Sequence, residues 1–188
     1  MGIGGQVSAR AAFLDRDGVI NRAIVRNGKP YPPTRIEEVE ILPGVPDALA
    51  RLKQANFRLL VVTNQPDIAR GTVQSSTVDA IDDFLMRKLP LDRIYVCPHD
   101  SSAACACRKP RPGLLLKGAD DFAIDLLASF MVGDRWRDIE AGHAVGCETF
   151  FIDYRYDERR PNAPDHVVAS LAEAARIVLS SSSLKDSS

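Results

Sequence analysis

The sequence predicts an α/β fold, a Rossmann-like three-layer sandwich with a mostly parallel central sheet. Two observations predict it. Short apolar runs alternate with stretches of helical period along the chain, which is the pattern of a parallel sheet covered on both faces. Four of the five runs end in polar or ionisable residues, and ligands in such sheets bind beyond the carboxyl ends of the strands.

In chain order, "AAFLD" (11–15) reads as the first buried strand. The segment 21–41 that follows is Pro/Gly-bearing and reads as an irregular flap over the end of that strand. Val45, Ala48, Leu49 and Leu52 share one helical face behind Pro46, which suits a first helical turn. "RLLVVTN" (58–64) is a second strand, and Ser76 with Asp79 resembles a capping box opening a helix that turns Ile81, Phe84 and Leu85 inward. "RIYVC" (93–97) is a third strand, and Pro112 opens a helix running toward Leu126. "FMVGD" (130–134), a helix from Asp134 to near Gly146, and "ETFFID" (148–153) complete the pattern. No gap between these segments holds a cap domain. Residues 1–10 are expected to be an N-terminal extension, 11–180 a single catalytic domain, and 181–188 a disordered tail.

The 188 residues are 45% hydrophobic and 26% charged, as in an ordinary globular domain, and the net charge of −1 offers no basic face for nucleic acid or anionic membrane. No run approaches the roughly 18 apolar residues of a membrane span. Gly2 is followed by Gln6 where myristoylation requires Ser or Thr, and no apolar signal region precedes the first strand. The expectation is a cytoplasmic monomer whose thiols stay reduced.

Chemistry concentrates at the strand ends. "FLDRDGVIN" sets Asp15 at a strand end with Asp17 two residues on, and Gly18 permits the turn. Carboxylates this close repel, so a hard cation such as Mg²⁺ is expected among them. Thr63, Asn64 and Gln65 end the next long strand, and Lys109 in "CRKP" is a compact cation suited to a phosphoryl oxygen. Asp134 ends a third strand in "VGDRWRD", with Asp138 one helical turn later.

These motifs, in this order, resemble those of the haloacid dehalogenase superfamily of aspartate-nucleophile phosphohydrolases, in the branch of the histidinol-phosphate and heptose-bisphosphate phosphatases. The resemblance spans most of 11–153, and "CRKPRPG" and "IARG" lean toward the heptose-bisphosphate side. It implies Asp15 as nucleophile and Asp17 as general acid and base. It implies Mg²⁺ on Asp15, the backbone carbonyl of Asp17, and Asp134, with Thr63 and Lys109 on the phosphoryl oxygens. Asp138 would orient Lys109 or a metal-bound water, or is simply a surface acid of its helix. Asn64, Gln65, Arg108 and Arg135 are expected to touch a phosphorylated sugar, with Arg108 on a second phosphate. Histidinol phosphate is the alternative substrate, and a non-catalytic phospho-ligand scaffold the alternative class.

Cys97, His99, Cys105 and Cys107 form C-x-H-x₅-C-x-C, a set suited to a closed tetrahedral Zn²⁺ site. Zinc there would clip a loop with too few apolar residues to pack itself and aim Arg108 and Lys109 into the site. A Cys105/Cys107 redox pair or disulfide is the competing reading. Cys147, His143, His166 and Trp136 read as packing or surface residues.

Overall fold

The computed structural model describes residues 8–185, with side chains to residue 181. Strand β1 (Arg10–Leu14) is followed by a short hairpin, β2 (Ile24–Arg26) and β3 (Lys29–Tyr31), then helix α1 (Val45–Gln54), strand β4 (Phe57–Asn64) and helix α2 (Ser75–Lys88). Next come β5 (Arg93–Cys97), α3 (Gly113–Phe122), β6 (Phe130–Gly133), α4 (Trp136–His143), β7 (Glu148–Ile152), β8 (His166–Val168) and α5 (Leu171–Lys185).

The main sheet has six strands in the order β5-β4-β1-β6-β7-β8, every pairing parallel. Its strands alternate faces with the period of two that a pleat imposes. Ala12, Leu14, Leu59, Val61, Phe130 and Val132 pack on one face with α1, α2 and α5. Ala11, Phe13, Leu60, Val62 and Met131 pack on the other with α3 and α4. Leu115 of α3, fully buried, and Leu49 of α1, equally so, mark the two helix layers.

Strand order locates the site. The chain builds outward from β1 through β4 to β5, then returns to the opposite side of β1 for β6. At such a reversal the connections leave in opposite directions and open a crevice at the carboxyl ends. Asp15 follows β1 and Asp134 follows β6, so the two acids are set side by side at that crevice.

Several expectations are corrected. Segment 21–41 is not wholly irregular. Asn27 (φ 50°) and Gly28 (φ 74°) make a two-residue turn with both central residues left-handed, which closes the β2–β3 hairpin. The Asn-Gly dipeptide is itself the signal for it. Gly28 O accepts from Asp157 N at 2.8 Å, docking the hairpin tip against the loop after β7. Helix α2 begins at Ser75 behind Gln74, with no side-chain cap, so the capping box at Ser76 and Asp79 does not form. Helix α3 stops at Phe122, where Ala123 turns left-handed (φ 52°), well short of Leu126.

Arg10, assigned to an extension, is the first residue of β1 and pairs with Phe57. Residues 181–185, assigned to a tail, continue α5. Leu171, Ala174, Ala175 and Val178 bury the face that anchors that helix, and the Ser180 and Ser181 hydroxyls donate back to Ile177 O. Residues 1–7 and 186–188 of those two expected segments lie outside the described residues. No separate cap domain occurs among the described residues, and no helix among them is long and apolar enough to cross a membrane.

Candidate active site

The crevice is a cavity of about 200 Å³. Asp15, Asp17, Thr63, Asn64, Arg108, Lys109, Asp134, Arg135 and Asp138 all line it, so the structure brings together nearly every residue singled out from the sequence.

Its floor is a crowd of carboxylates. Asp15, Asp134 and Asp138 are almost fully buried, and one carboxylate oxygen from each lies within 4.8 Å of the others. The backbone makes this possible at Gly18 (φ 91°), where a Cβ would stand 1.9 Å from Asp134 Oδ2. Burial pushes the Asp15 carboxyl up to about 6, against the pull of Lys109 and with Asp138 and Asp17 adding repulsion. Burial, then Asp15 and Asp138, raise Asp134 well above the usual carboxylate range.

Lys109 answers part of this charge. The residue is 2% exposed, and its ammonium donates to Asp15 Oδ1 (2.8 Å) and Val62 O (2.7 Å) and pairs with Asp138 Oδ1 (2.5 Å). The three contacts match the three donors of an ammonium. Asp138 Oδ2 meanwhile accepts from Arg135 N at the start of α4. Asp138 is therefore a buried partner of Lys109 and not a surface acid.

Asp134 has no such partner. Both its carboxylate oxygens are buried without a hydrogen-bond partner, and the nearby Tyr156 hydroxyl is held above its ordinary pKa by burial and by the Asp134 charge. An orphaned carboxylate beside a second one is the donor set a hard dication takes. Asp15 and Asp134 thus fit Mg²⁺, whereas Asp138 is committed to Lys109.

The DRDG turn is held from below by a residue not anticipated from the sequence. Arg16 is fully buried; it donates to both carboxylate oxygens of Asp17 (3.3 and 3.2 Å) and to Asp82 of α2 (2.8 Å). Asn21 Nδ2 (2.9 Å) and Gln65 Nε2 (2.8 Å) also donate to Asp17. Gln65 lies beneath the cavity and does not line it. Its second contact, to Thr63 Oγ1 at 2.9 Å, uses that hydroxyl as acceptor and leaves its proton free to point elsewhere. Asn64 brackets the backbone of Lys109, donating to its carbonyl and accepting from its N–H, each at 3.1 Å.

The Cys97 cluster forms as the spacing suggests. Cys97 Sγ lies 3.0 Å from Cys107 Sγ and 3.8 Å from Cys105 Sγ, and His99 Nδ1 lies 3.6 and 3.2 Å from Cys97 and Cys107. All four cysteines of the chain are free thiols, so no Cys105–Cys107 disulfide is present. The separations are near those of four ligands around one tetrahedral ion with metal–sulfur bonds of about 2.3 Å. Burial, then Cys107, push the Cys97 thiol up to about 12, which marks how poorly the packed thiols tolerate a charge without a cation.

Above the floor, the mouth is cationic. Arg135 is paired with Glu158, Arg70 with Asp67, and Arg108 donates to His99 O. Arg137 and Lys29, neither anticipated, also line the cavity. The guanidiniums of Arg137 and Arg159 both lie over the Trp136 ring, at 4.6 and 4.4 Å from its centroid. Cys147 is buried, its thiol pushed up to about 12 by burial, His143 meets Thr149, and His166 stacks on Phe150 at 4.5 Å.

The HAD-hydrolase-like family model matches residues 106–174. The chain is 37% identical over 186 residues to the D-glycero-β-D-manno-heptose-1,7-bisphosphate 7-phosphatase of Escherichia coli K12, covering 91% of this chain and 94% of that protein. The chain belongs to the haloacid dehalogenase superfamily. Two solved structures extend the likeness to the fold. The D,D-heptose 1,7-bisphosphate phosphatase of Bordetella bronchiseptica, complexed with magnesium and phosphate, superposes with a TM-score of 0.78 at 32% identity, over 92% of this chain and 99% of that one. The Burkholderia thailandensis phosphatase of the same description gives 0.63 at 26% identity, over 91% and 99%.

Removing the acid that faces Arg16 from α2 leaves a buried guanidinium with one partner fewer. Asp82→Ala is expected to lower stability by about 3 kcal/mol, measured by urea unfolding, because breaking a buried pair strands its charge. A loss under 1 kcal/mol would mean that Arg16 is satisfied without α2.

Proposed function

We propose that this chain is a Mg²⁺-dependent phosphomonoesterase that removes the 7-phosphate of D-glycero-D-manno-heptose 1,7-bisphosphate through an aspartyl-phosphate on Asp15. The observation that carries the chemistry is the Asp15–Lys109–Asp138 chain of buried charges beside the unpartnered Asp134. The relatives' names support the substrate, over nearly the whole chain.

Lys109 holds Asp15 Oδ1, which fixes the carboxylate and leaves Oδ2 free of that contact for attack on phosphorus. As the new oxygen–phosphorus bond forms, the ester oxygen departs and takes a proton from Asp17. Water then attacks the acyl phosphate and gives its proton to Asp17, restoring Asp15 and releasing phosphate. Arg16, Asn21 and Gln65 keep the Asp17 carboxyl in one orientation through both transfers. The Thr63 hydroxyl, and the Lys109 ammonium by turning one of its three donors away from its resting contact, hold the equatorial oxygens of the transferred group. Asp15, Asp134 and the Asp17 carbonyl would hold Mg²⁺, which would supply positive charge against the repulsion between the attacking carboxylate and the phosphate.

Zinc on Cys97, His99, Cys105 and Cys107 has a structural part. Cys107 is two residues from Lys109, so the clip and the Asn64 bracket together fix the chain that carries the ammonium. The small-molecule substrate, the free thiols and the net charge of −1 fit a cytoplasmic monomer acting without nucleic acid or membrane.

Phosphate release from heptose 1,7-bisphosphate, other sugar phosphates and histidinol phosphate tests the reading. Heptose bisphosphate should give the highest kcat/KM, with EDTA and Asp15→Asn each lowering it at least 1,000-fold, on the order expected for losing a nucleophile. A better rate with histidinol phosphate would move the substrate and keep the chemistry, while full activity in Asp15→Asn would refute the mechanism. Elemental analysis should find one zinc per chain, lost in Cys105→Ser together with a drop in Tm; a zinc-free chain of unchanged Tm would remove the clip.

A further inference from the structure

Arg16 stands between two carboxylates, and only one of them, Asp17, has a part in the chemistry. Its side chain is fully buried, and among the described residues its countercharges are Asp17 and Asp82. The contacts are unequal. Nη1 meets Asp82 Oδ1 at 2.8 Å, whereas Nε and Nη2 meet the two Asp17 oxygens at 3.3 and 3.2 Å. The shorter, stronger contact is thus with the acid on α2, outside the cavity.

The Asp17 carboxyl is crowded by donors. Oδ1 accepts from Arg16 and from Asn21 Nδ2 (2.9 Å), and Oδ2 accepts from Arg16 and from Gln65 Nε2 (2.8 Å). Four donors meet the roughly four acceptor positions of an ionised carboxylate, so a proton enters only where one donor withdraws. The Arg16 contacts are the longest of the four and the first to yield. What holds Arg16 as they yield decides whether the carboxyl keeps its aim. Asp82 is placed to do so. It lies on α2 next to Ile81, which is fully buried with Leu85 one turn on, and Val78 one turn back is also buried. That packing fixes the backbone carrying the Asp82 carboxylate, and a buried guanidinium that loosens from Asp17 stays paired through it.

We infer that Asp82 is a positioning residue that acts through Arg16, holding the guanidinium at the reach from Asp17 that lets this carboxyl pass a proton without turning. The inference deepens the function proposed above and rests on Asp17 as its general acid and base. Neither Arg16 nor Asp82 lines the cavity, so neither touches the substrate. Asp82 therefore sets the rate of proton transfer and leaves substrate binding alone.

The test uses the leaving group. A sugar alkoxide needs a proton to depart and 2,4-dinitrophenolate does not, so the ratio of kcat/KM for the two esters reads proton donation. Both values come from one preparation, which makes the ratio independent of how much of it is folded. Asp17→Asn should lower the ratio of the best-cleaved alkyl phosphate to 2,4-dinitrophenyl phosphate about 100-fold or more. Asp82→Ala should lower it roughly tenfold, as a displaced catalytic group does, and Asp82→Asn, which keeps an acceptor oxygen for Arg16, should recover part of the loss. Adding Asp82→Ala to Asp17→Asn should lower the ratio no further, because both act on one step. An unchanged ratio in Asp82→Ala, beside its loss in Asp17→Asn, would overturn the positioning role and leave Asp82 to stability alone. Full additivity in the double variant would do the same. A ratio that survives Asp17→Asn would remove Asp17 as the acid and this inference with it, whereas cleavage of neither ester in Mg²⁺ would overturn the phosphatase reading itself.

Discussion

The constraint on which this molecule depends is an excess of buried negative charge. Asp15, Asp134 and Asp138 converge under the cavity with Asp17 at its edge, and the cations that answer them are Lys109 and Arg16. In a medium of low effective dielectric such a group of carboxylates cannot all ionise without further positive charge. The shortfall is concentrated on Asp134, whose two oxygens have no hydrogen-bond partner. The same shortfall that costs stability is what fits the site to a dication.

The rest of the fold serves to hold that arrangement. Reversal of strand order about β1 sets Asp15 beside Asp134. Lys109 comes from a loop with little apolar content, and three devices hold it there: the Cys/His cluster two residues away, the Asn64 amide on its backbone, and its own contacts to Asp15, Asp138 and Val62. Asp17 is oriented through Arg16, which reaches across to Asp82 on α2. The carboxylates at the strand ends are thus tied to helix packing through a buried ion chain.

The sheet and the acidic floor were legible in the sequence because their signals are local. A buried parallel strand is a short apolar run, and β5 begins and ends where "RIYVC" does. DRDG, TNQ and GD carry their spacing with them. What was not legible depends on partners distant in sequence. Arg16 sits visibly between two aspartates, yet its burial depends on Asp82, 66 residues away. Gln65 was expected on the substrate, but its amide is drawn under the floor by Asp17 and Thr63. Arg137 lines the cavity together with residues distant from it in sequence, Lys29 and Arg108. Asn27-Gly28 was readable as a hairpin turn, and the prolines nearby masked it. The extent of α5 was hidden because serines rank poorly in helix interiors, although a packed apolar face upstream carries them along.

The central claim is tested most directly by the thermal stability of the resting protein with and without Mg²⁺, in wild type and in Asp134→Asn. Millimolar Mg²⁺ should raise the wild-type Tm by several degrees, since an ion that binds only the folded state stabilises it. Without Mg²⁺, Asp134→Asn should melt above wild type, because a neutral amide relieves the repulsion, and adding Mg²⁺ should barely move it. A wild-type Tm indifferent to Mg²⁺, with a variant no more stable than the parent, would contradict the account: the carboxylates would then be satisfied without a dication.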